Sequence, residues 1–150
     1  MNYRLYREDD FTQLYAIELA CFEPPIRFSR NTMRQLLRDP SSATWIAEEN
    51  EEMTGFAIVF WAQPPEQPLA YIQTLEVVPA LRKRGIASEL LRRLEESARS
   101  AGAHVIWLHV AETNTPAIRL YQAHGYSEQG REENFYAKGL AALLYAKPIE

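Results

Sequence analysis

A run of three cationic side chains stands before a glycine in LRKRGIASELL, residues 81–91. Arg82 and Arg84 carry guanidinium groups that can bind phosphate oxygens, and Gly85 lets the backbone approach an anion without a Cβ in the way. The residues that follow have the periodicity of a helix, whose first N–H groups lack partners within the helix and attract anions. The stretch therefore predicts a site for a compact phosphate ligand.

The same cations have two other interpretations, a basic surface at the start of a helix and a nucleic-acid patch. A cation at a helix N-terminus opposes the helix dipole at a cost of roughly 0.3 kcal/mol, which an anionic ligand would offset. The 150 residues include 16 Lys and Arg against 20 Asp and Glu, and the formal net charge is −4. An acidic chain does not attract polyanions, so we expect no nucleic-acid partner.

A histidine, an asparagine and a tyrosine in the second half of the chain are suited to acid–base chemistry and hydrogen bonding. His109 lies in the apolar run HVIWLHV, where it is either a base, because histidine titrates near neutral pH, or a hydrogen-bonded core residue. Asn114 and Tyr121 are seven residues apart, which places them on one helix face over two turns. The three histidines and Cys21 have no metal-ligand spacing, so we expect no metal and a small buried thiol.

Hydrophobic periodicity predicts the elements that hold these residues. Asp9 or Asp10, Ser29 and Thr115 are predicted helix N-caps, and the prolines of QPPEQP, residues 63–68, predict a loop. Alternating or continuous apolar runs predict strands, and apolar side chains three or four residues apart predict helices. In chain order the prediction is strand 3–7, helix 11–22, helix 30–39, strand 43–50, strand 56–62, strand 69–78, helix 86–101, strand 104–110, helix 116–124, strand 126–132 and strand 140–148.

This order, β-α-α-β-β-β-α-β-α-β-β, indicates an α/β domain of the layered α+β type with a mixed, mostly antiparallel central sheet flanked by helices. Residues 1–150 have the size of one domain, and no repeat or linker divides them. The first ten residues contain no apolar run typical of a secretory signal, and the apolar stretches are too short to span a bilayer. We therefore expect a cytoplasmic protein without a membrane partner.

The stretch VVPALRKRGIA, residues 77–87, resembles the acetyl-CoA signature of the GCN5-related N-acetyltransferases, the GNAT family. Its pattern, Q/R-x-x-G-x-G/A, is met by Arg82, Gly85 and Ala87, and the order of elements is similar to that family's over nearly the whole chain. The resemblance implies the GNAT fold, N-acetyltransferase activity and acetyl-CoA as cofactor. The loop amides would hold the diphosphate, and the preceding strand would hold the pantetheine arm. The implied cofactor contacts are Leu75, Val77, Val78, Arg82, Lys83, Arg84, Gly85, Ile86, Ala87, Ser88, Asn114 and Tyr121.

The second half of the chain resembles ribosomal-protein-alanine acetyltransferases and related protein N-terminal acetyltransferases. The resemblance is carried by WLHVAETNTPAIRLYQAHGY, residues 107–126. It implies that Tyr121 is the general acid that protonates the departing CoA thiolate, and that Asn114 contacts the pantetheine amide. The alternatives are an aromatic side chain packed in a helix groove for Tyr121 and a helix cap for Asn114.

The ribosomal-protein-alanine branch typically carries glutamate at the position of His109, so the sequence departs from that branch here. LHV at 108–110, together with YIQTL at 71–75, is similar to a branch of eukaryotic N-terminal acetyltransferases. In that branch a tyrosine and a histidine position a water that takes the amine proton. The resemblance therefore implies Tyr71 and His109 as catalytic residues, with an amphipathic wall residue as the alternative for Tyr71.

Two further segments look like the walls of the peptide groove in N-terminal acetyltransferases. They are FEPPI, residues 22–26, and NFY, residues 134–136, and ordinary loops are the alternative. The expected reaction is acetyl transfer to the α-amino group of a protein N-terminus, with a ribosomal protein among the candidates. A small-molecule amine acetyltransferase and a non-catalytic CoA-binding module are the competing interpretations. The implied substrate contacts are Phe22, Glu23, Pro24 and Tyr136.

Overall fold

The computed structural model describes residues 1–62 and 68–150, and their elements occur in the predicted order. The predicted loop at 63–68 lies outside the described residues except for Pro68. Among the described helices, none is both long and apolar enough to cross a bilayer. The elements are β1 (Asn2–Leu5), α1 (Phe11–Cys21), α2 (Arg30–Arg38), β2 (Ser42–Glu49), β3 (Glu52–Trp61), β4 (Leu69–Val77), α3 (Ile86–Ser100), β5 (Val105–Ala111), α4 (Thr115–Ala123), β6 (Ser127–Ala137) and β7 (Leu140–Pro148).

The seven strands form one sheet in the order β1-β2-β3-β4-β5-β7-β6. β4 and β5 pair in parallel, and the other neighbouring strands pair antiparallel. Two parallel neighbours need a crossover connection, and α3 supplies it between β4 and β5. The predicted mixed, mostly antiparallel sheet is confirmed.

Each face of the sheet carries its own hydrophobic core. Below one face α3 buries the predicted stripe, in which Leu90, Leu91 and Leu94 are fully enclosed. On the opposite face α1 and α2 pack against β2 and β3, with Leu14 and Met33 fully buried. Burial of large aliphatic side chains contributes about 1.5–3 kcal/mol each, so both helix layers are anchored to the sheet.

A β-bulge interrupts β4 in the middle of the sheet. Thr74 pairs with Ile58 of β3, whereas Ile72 pairs with the next residue, Val59, so that Gln73 is an extra residue. Even-numbered side chains of β4 point into the α3 core before the bulge, and odd-numbered ones do so after it. The bulge therefore reverses which side chains reach each face near the carboxyl end of the strand.

Beyond the bulge, β4 separates from β5 but stays tightly packed on β3. The parallel pairing of β4 and β5 runs from Leu69 with Val105 to Ile72 with Leu108, and both strands continue past it. On the other side, a Cβ added to Gly55 of β3 would lie 2.6 Å from the backbone oxygen of Glu76. The close approach to β3 fixes one edge of β4, and the parting from β5 opens a groove along the other.

Asp10, one of the two predicted candidates, occupies the N-cap position of α1, but its side chain makes no capping bond to that helix. Residues 8–10 form a 3-10 turn that runs directly into α1. The Asp10 carboxylate instead accepts hydrogen bonds from the Arg7 backbone at 2.7 Å and from the Arg4 guanidinium at 2.8 Å. An arginine on the adjacent strand competes successfully with the helix for this carboxylate, because charge-assisted bidentate bonds are stronger than a single cap.

Of the other two predicted caps, one is confirmed and one is wrong. Ser29 caps α2, since its hydroxyl accepts from the Thr32 N–H at 3.1 Å. Thr115 is the first residue of α4 rather than its cap. Asn114 takes the capping position, and its Oδ1 accepts from the Ala117 N–H at 3.3 Å.

The near-continuous apolar run HVIWLHV is typical of a strand covered on both faces, but β5 is fully buried on only one. Ile106, Leu108 and Val110 are buried in the α3 core, whereas Trp107 and His109 on the opposite face are only partly buried. α1 and α2 make their main sheet contacts with β2, β3 and β4, so they leave this face of β5 uncovered. The uncovered face is where polar and aromatic side chains collect.

Candidate active site

The groove between β4 and β5 has a volume of about 860 Å³. Its walls come from the end of β4, the start of α3, the end of β5, α4 and the segment after α1. Nearly all the predicted cofactor contacts line it, although they come from separate parts of the chain. These residues are Leu75, Val77, Arg82, Lys83, Gly85, Ile86, Ala87, Ser88, Asn114 and Tyr121.

Two of the predicted cofactor contacts lie away from the groove walls. Val78 turns its side chain towards the α1 core, and its N–H donates to the Thr54 carbonyl at 2.9 Å. Arg84 is fully on the surface. For Val78 this follows from the path of the backbone, because the segment leaving β4 continues its contact with β3 before it turns towards α3.

The loop before α3 has the backbone of an anion site. Lys83 and Gly85 adopt left-handed conformations, with φ of 67° and 82°, on either side of Arg84. Such a turn aims successive N–H groups at one point, and the first amides of α3 add to them. A Cβ added to Gly85 would meet nothing within 4 Å, so the space in front of this backbone is open. The loop fits a diphosphate.

Arg82 and Cys21 meet at the mouth of this loop. Arg82 donates from Nε to the Val77 carbonyl at 3.3 Å and from Nη2 to the Cys21 sulfur at 3.5 Å. Burial, reinforced by the Glu76 carboxyl, raises the pKa of the Cys21 thiol to about 11. A thiol with so high a pKa is a poor nucleophile. Cys21 was expected to be buried, but it is only partly buried and lines the groove.

Tyr71 and His109 form a hydrogen-bonded pair on the uncovered face of the sheet. Tyr71 of β4 is in register with Trp107 of β5, so His109 lies two residues further along on the same face. The Tyr71 hydroxyl and His109 Nδ1 are 2.8 Å apart. Burial, with a smaller effect of the Tyr136 hydroxyl, raises the pKa of Tyr71 to about 12, so its phenol is protonated at neutral pH.

The second nitrogen of His109 and one face of its ring also have partners. Nε2 lies 3.0 Å from Oε1 of Glu132, and the ring stacks on Phe135 with centroids 4.0 Å apart. Glu132 could not be singled out from the sequence, because it is one of several charged residues on a strand that is mostly exposed.

An irregularity between β6 and β7 brings these two residues to His109. Glu132 pairs with Ala142 and Ala137 pairs with Leu140, so the four residues 133–136 of β6 face a single residue of β7. The predicted strand 126–132 is therefore extended to Ala137 by a bulged segment. That segment turns the predicted NFY wall towards β5, where Phe135 meets His109 and Tyr136 packs edge-to-face on Phe135 at 4.9 Å.

Tyr121 of α4 lines the groove and is buried. Burial raises the pKa of its phenol well above the usual range, and the hydroxyls of Tyr136 and Tyr71 raise it further. Tyr121 is therefore near enough to Tyr71 and Tyr136 for their hydroxyls to affect its pKa, and Tyr71 in turn contacts His109.

The segment after α1 contributes unevenly to the predicted acceptor wall. Phe22 and Ile26 line the groove, whereas Glu23 and Pro24 do not. Glu23 instead uses its backbone carbonyl to accept from the Ile26 N–H at 3.0 Å, which closes the turn. Its exposed side chain has no place in the groove wall.

A buried carboxyl pair, one member of which lines the groove, was not indicated by the sequence. Glu18 of α1 and Glu76 of β4 are both fully enclosed, and the Thr74 hydroxyl donates to Glu76 at 2.6 Å. Burial, with the adjacent Glu18, raises the pKa of Glu76 well above its ordinary value. Simple alternation along β4 predicts the wrong face for Glu76, because the extra residue Gln73 lies between it and the start of the strand.

Residues 9–126 match the profile of the Acetyltransferase (GNAT) family. The chain belongs to this family. The acetyltransferase is 31% identical over 115 residues to the streptothricin acetyltransferase of Streptomyces lavendulae, a match that covers 73% of this chain and 60% of that relative. It is 30% identical over 135 residues to the [ribosomal protein bS18]-alanine N-acetyltransferase of Haemophilus ducreyi, covering 86% and 84% of the two chains. Arabidopsis thaliana NAA60 in complex with acetyl-CoA shares its fold with a TM-score of 0.84 and 25% identity, over 99% of this chain and 98% of that one.

The protein is an N-acetyltransferase that uses acetyl-CoA. Its own geometry fits this cofactor, since the left-handed loop before α3 suits a diphosphate and the groove beyond it is long and partly apolar. The backbone of Gly85 and the first turn of α3 would hold the phosphates, and the parted edge of β4 at Leu75–Val77 would follow the pantetheine arm. The described residues contain no cluster of ligands suited to a metal ion.

Proposed function

We propose that this acetyltransferase modifies the α-amino group of a protein N-terminus. The observation that carries the proposal is the 2.8 Å contact between the Tyr71 hydroxyl and His109 Nδ1 on the uncovered face of the sheet. A base of modest strength suits an α-amine, whose pKa is about 7.7–8.0, far better than a lysine amine near 10.4. A relative that acts on the alanine of a ribosomal protein supports this choice of acceptor.

In this proposal Tyr71 and His109 accept the proton that the attacking amine loses. Acetyl-CoA supplies the acetyl thioester, and the amine nitrogen forms a bond to its carbonyl carbon while the carbon–sulfur bond breaks. The Tyr71 phenol receives the amine proton directly or through a water and passes its own proton to His109 Nδ1. Transfer is direct, with no covalent bond to the protein.

Tyr121 serves as the acid in the same proposal. Its phenol lies in the groove wall, where it can donate a proton to the departing thiolate and regain one from solvent. A phenol whose pKa is raised by burial stays protonated until a strong base appears beside it. Asn114 holds the start of α4 through its cap, and thereby fixes Tyr121 two turns later.

The acceptor peptide would lie between two aromatic walls. Phe22 and Ile26 form one side, and Phe135 and Tyr136 form the other, next to the Tyr71–His109 pair. Apolar and aromatic walls suit the first side chains of an extended peptide, because they bury apolar surface without demanding one hydrogen-bond pattern. A ribosomal protein is one candidate partner, as in the H. ducreyi relative.

A second candidate is transfer to the amine of a small molecule. The 31% identity to a streptothricin acetyltransferase favours it, since the cofactor half of the fold is compatible with both acceptors. The two candidates differ in what occupies the space between the aromatic walls, a peptide in one case and a small amine in the other.

The two candidates separate in one assay. CoA release would be followed with acetyl-CoA and short peptides of varied first residue, the same peptides with a blocked α-amine, and a panel of small amines including streptothricin. Turnover confined to free peptide N-termini supports the proposal. Turnover with small amines alone selects the second candidate, and turnover with blocked peptides that contain lysine selects a side-chain acetyltransferase.

A further inference from the structure

We propose that Glu132 is a positioning residue for His109, whose carboxylate fixes the tautomer and the orientation of the imidazole. The inference rests on the proposed roles of Tyr71 and His109. It is carried by the short chain of contacts from the Tyr71 hydroxyl to Nδ1, at 2.8 Å, and from Nε2 to Glu132 Oε1, at 3.0 Å.

The tautomer follows from what a carboxylate can do. An ionised carboxylate only accepts hydrogen bonds, so the His109 nitrogen that faces Glu132 carries the hydrogen in the neutral imidazole. Nδ1 then presents a lone pair to Tyr71, and the Tyr71 hydroxyl donates to it. The opposite tautomer would leave Nε2 and the carboxylate with facing lone pairs. Glu132 therefore holds His109 in the form that can take a proton from Tyr71.

The imidazole is held at several points. Its side chain is 9% exposed, one ring face stacks on Phe135, and both nitrogens have partners. Glu132 is 49% exposed, so its carboxylate reaches His109 from the solvent side. The residues next to Glu132 on β6 pair elsewhere, since Arg131 pairs with Glu112 and with Glu133.

The same contacts account for the path of the amine proton to solvent. When the amine proton reaches Tyr71 and the phenolic proton reaches Nδ1, His109 becomes an imidazolium with hydrogens on both nitrogens. The Glu132 carboxylate stabilises that cation until the proton is released to the solvent that Glu132 contacts. Tyr71 ends with one proton, as it began, and no other reactant is required.

Three variants distinguish the contribution of the Glu132 charge from that of its hydrogen-bond acceptor. Glu132→Ala removes both charge and acceptor, Glu132→Gln keeps an acceptor oxygen without the charge, and Glu133→Gln is the control from the next position on the same strand. We expect Glu132→Ala to lower kcat by about 10-fold or more, a share of the roughly 10²–10⁴-fold that a positioned base contributes, with the KM for acetyl-CoA unchanged. Glu132→Gln should fall between Ala and the wild type. Glu133→Gln should match the wild type.

Nitrogen-15 NMR of the imidazole provides a readout that does not depend on activity. In the wild type at a pH where His109 is neutral, the hydrogen should be on Nε2, and in Glu132→Ala the spectrum should show a mixture of both tautomers. An unchanged Nε2–H tautomer in Glu132→Ala, with kcat also unchanged, would overturn the proposal. If the tautomer changes but no peptide is acetylated by the wild type, the positioning role stands and the proposed function falls.

A double variant gives a second check. In a His109→Ala background, Glu132→Ala should change kcat by less than about 2-fold, because a residue that acts through His109 has nothing left to position. A further loss equal to that of the single variant would show that Glu132 acts independently of His109, and would overturn the proposal.

Discussion

Tyr121 and Tyr126 meet edge-to-face with ring centroids 5.5 Å apart, yet their hydroxyls have different surroundings. Tyr121 forms part of the cofactor groove, whereas the Tyr126 hydroxyl donates to Glu95 at 2.7 Å inside the fold. Lys147 pairs with the same Glu95 carboxylate. Of these two neighbouring phenols, Tyr121 lines the groove and has a proposed role in the reaction, whereas Tyr126 is bonded within the core.

Removing the hydroxyl oxygen from each of these two tyrosines should have different effects, one on activity and the other on stability. Tyr121→Phe should lower the rate of CoA release by roughly 10²–10⁴-fold, because the thiolate loses its proton donor, and should leave CoA affinity near that of the wild type. Tyr126→Phe should leave the rate near normal and lower the free energy of unfolding by about 1.5–3 kcal/mol, the range for a hydrogen bond to a charged group. Steady-state kinetics and urea unfolding of both variants measure this. Full activity in Tyr121→Phe would show that its phenol is not the acid.

His109→Ala and Tyr71→Phe should each reduce kcat while calorimetry still detects acetyl-CoA binding. The reason is that both groups lie on the uncovered face of the sheet, beside the groove but outside its cofactor-lining wall. The matched control is His104→Ala, since His104 is at the other end of the same segment, exposed and paired with Glu150. If the control loses as much activity as His109→Ala, the loss reports folding rather than chemistry.

The anion loop can be tested with two glycines that have the same backbone conformation. Gly85 and Gly139 both have φ of 82°, and a Cβ added to either meets nothing within 4 Å. Alanine in the left-handed region costs about 1 kcal/mol at each position, so the two variants should lose similar stability. Only Gly85→Ala should weaken CoA binding in calorimetry, because its methyl group would project where the phosphates approach the backbone. Equal CoA affinity in the two variants would contradict the placement of the diphosphate.

Glu76 predicts a pH dependence of stability. Its pKa is raised in the folded state, above all by burial and then by the neighbouring Glu18, so the folded protein holds this proton more tightly than the unfolded chain does. Stability contributed by the neutral carboxyl is complete below the ordinary pKa of 4.5 and is lost as pH rises towards the folded value. Glu76→Gln should remove that decline and be at least as stable as the wild type at neutral pH. Urea midpoints across the pH range measure it, with exposed Glu52→Gln as the control; a parallel decline in Glu76→Gln would contradict it.

Much of the fold could be predicted because the signals for it are local. The apolar stripe of α3, the β-rich runs of β2 and β3 and the glycines that follow α3 and α4 depend only on neighbours in the chain, and the predicted order of elements is confirmed. The cofactor loop could be found for the same reason, since its backbone conformation is encoded by one contiguous stretch around Gly85.

What could not be predicted depends on residues far apart in sequence. The bulge at Gln73 is visible only in the pairing of β4 with β3, and it decides that Glu76 is buried. The contact of Glu132 with His109 spans 23 residues and depends on how β6 deviates from β7. Asp10 stands at the predicted N-cap position, but its carboxylate does not cap the helix, because its partner Arg4 lies on another element. In each case a tertiary contact overrides a local preference.

The position of the acetyl group on a peptide tests the central claim most directly. A peptide with a free α-amine and one internal lysine would be incubated with the protein and acetyl-CoA, and the product would be sequenced by tandem mass spectrometry. We predict acetylation at the α-nitrogen, with the lysine unmodified. Acetyl groups on the lysine beside a free α-amine, or an unmodified peptide under conditions in which a small amine is acetylated, would contradict it.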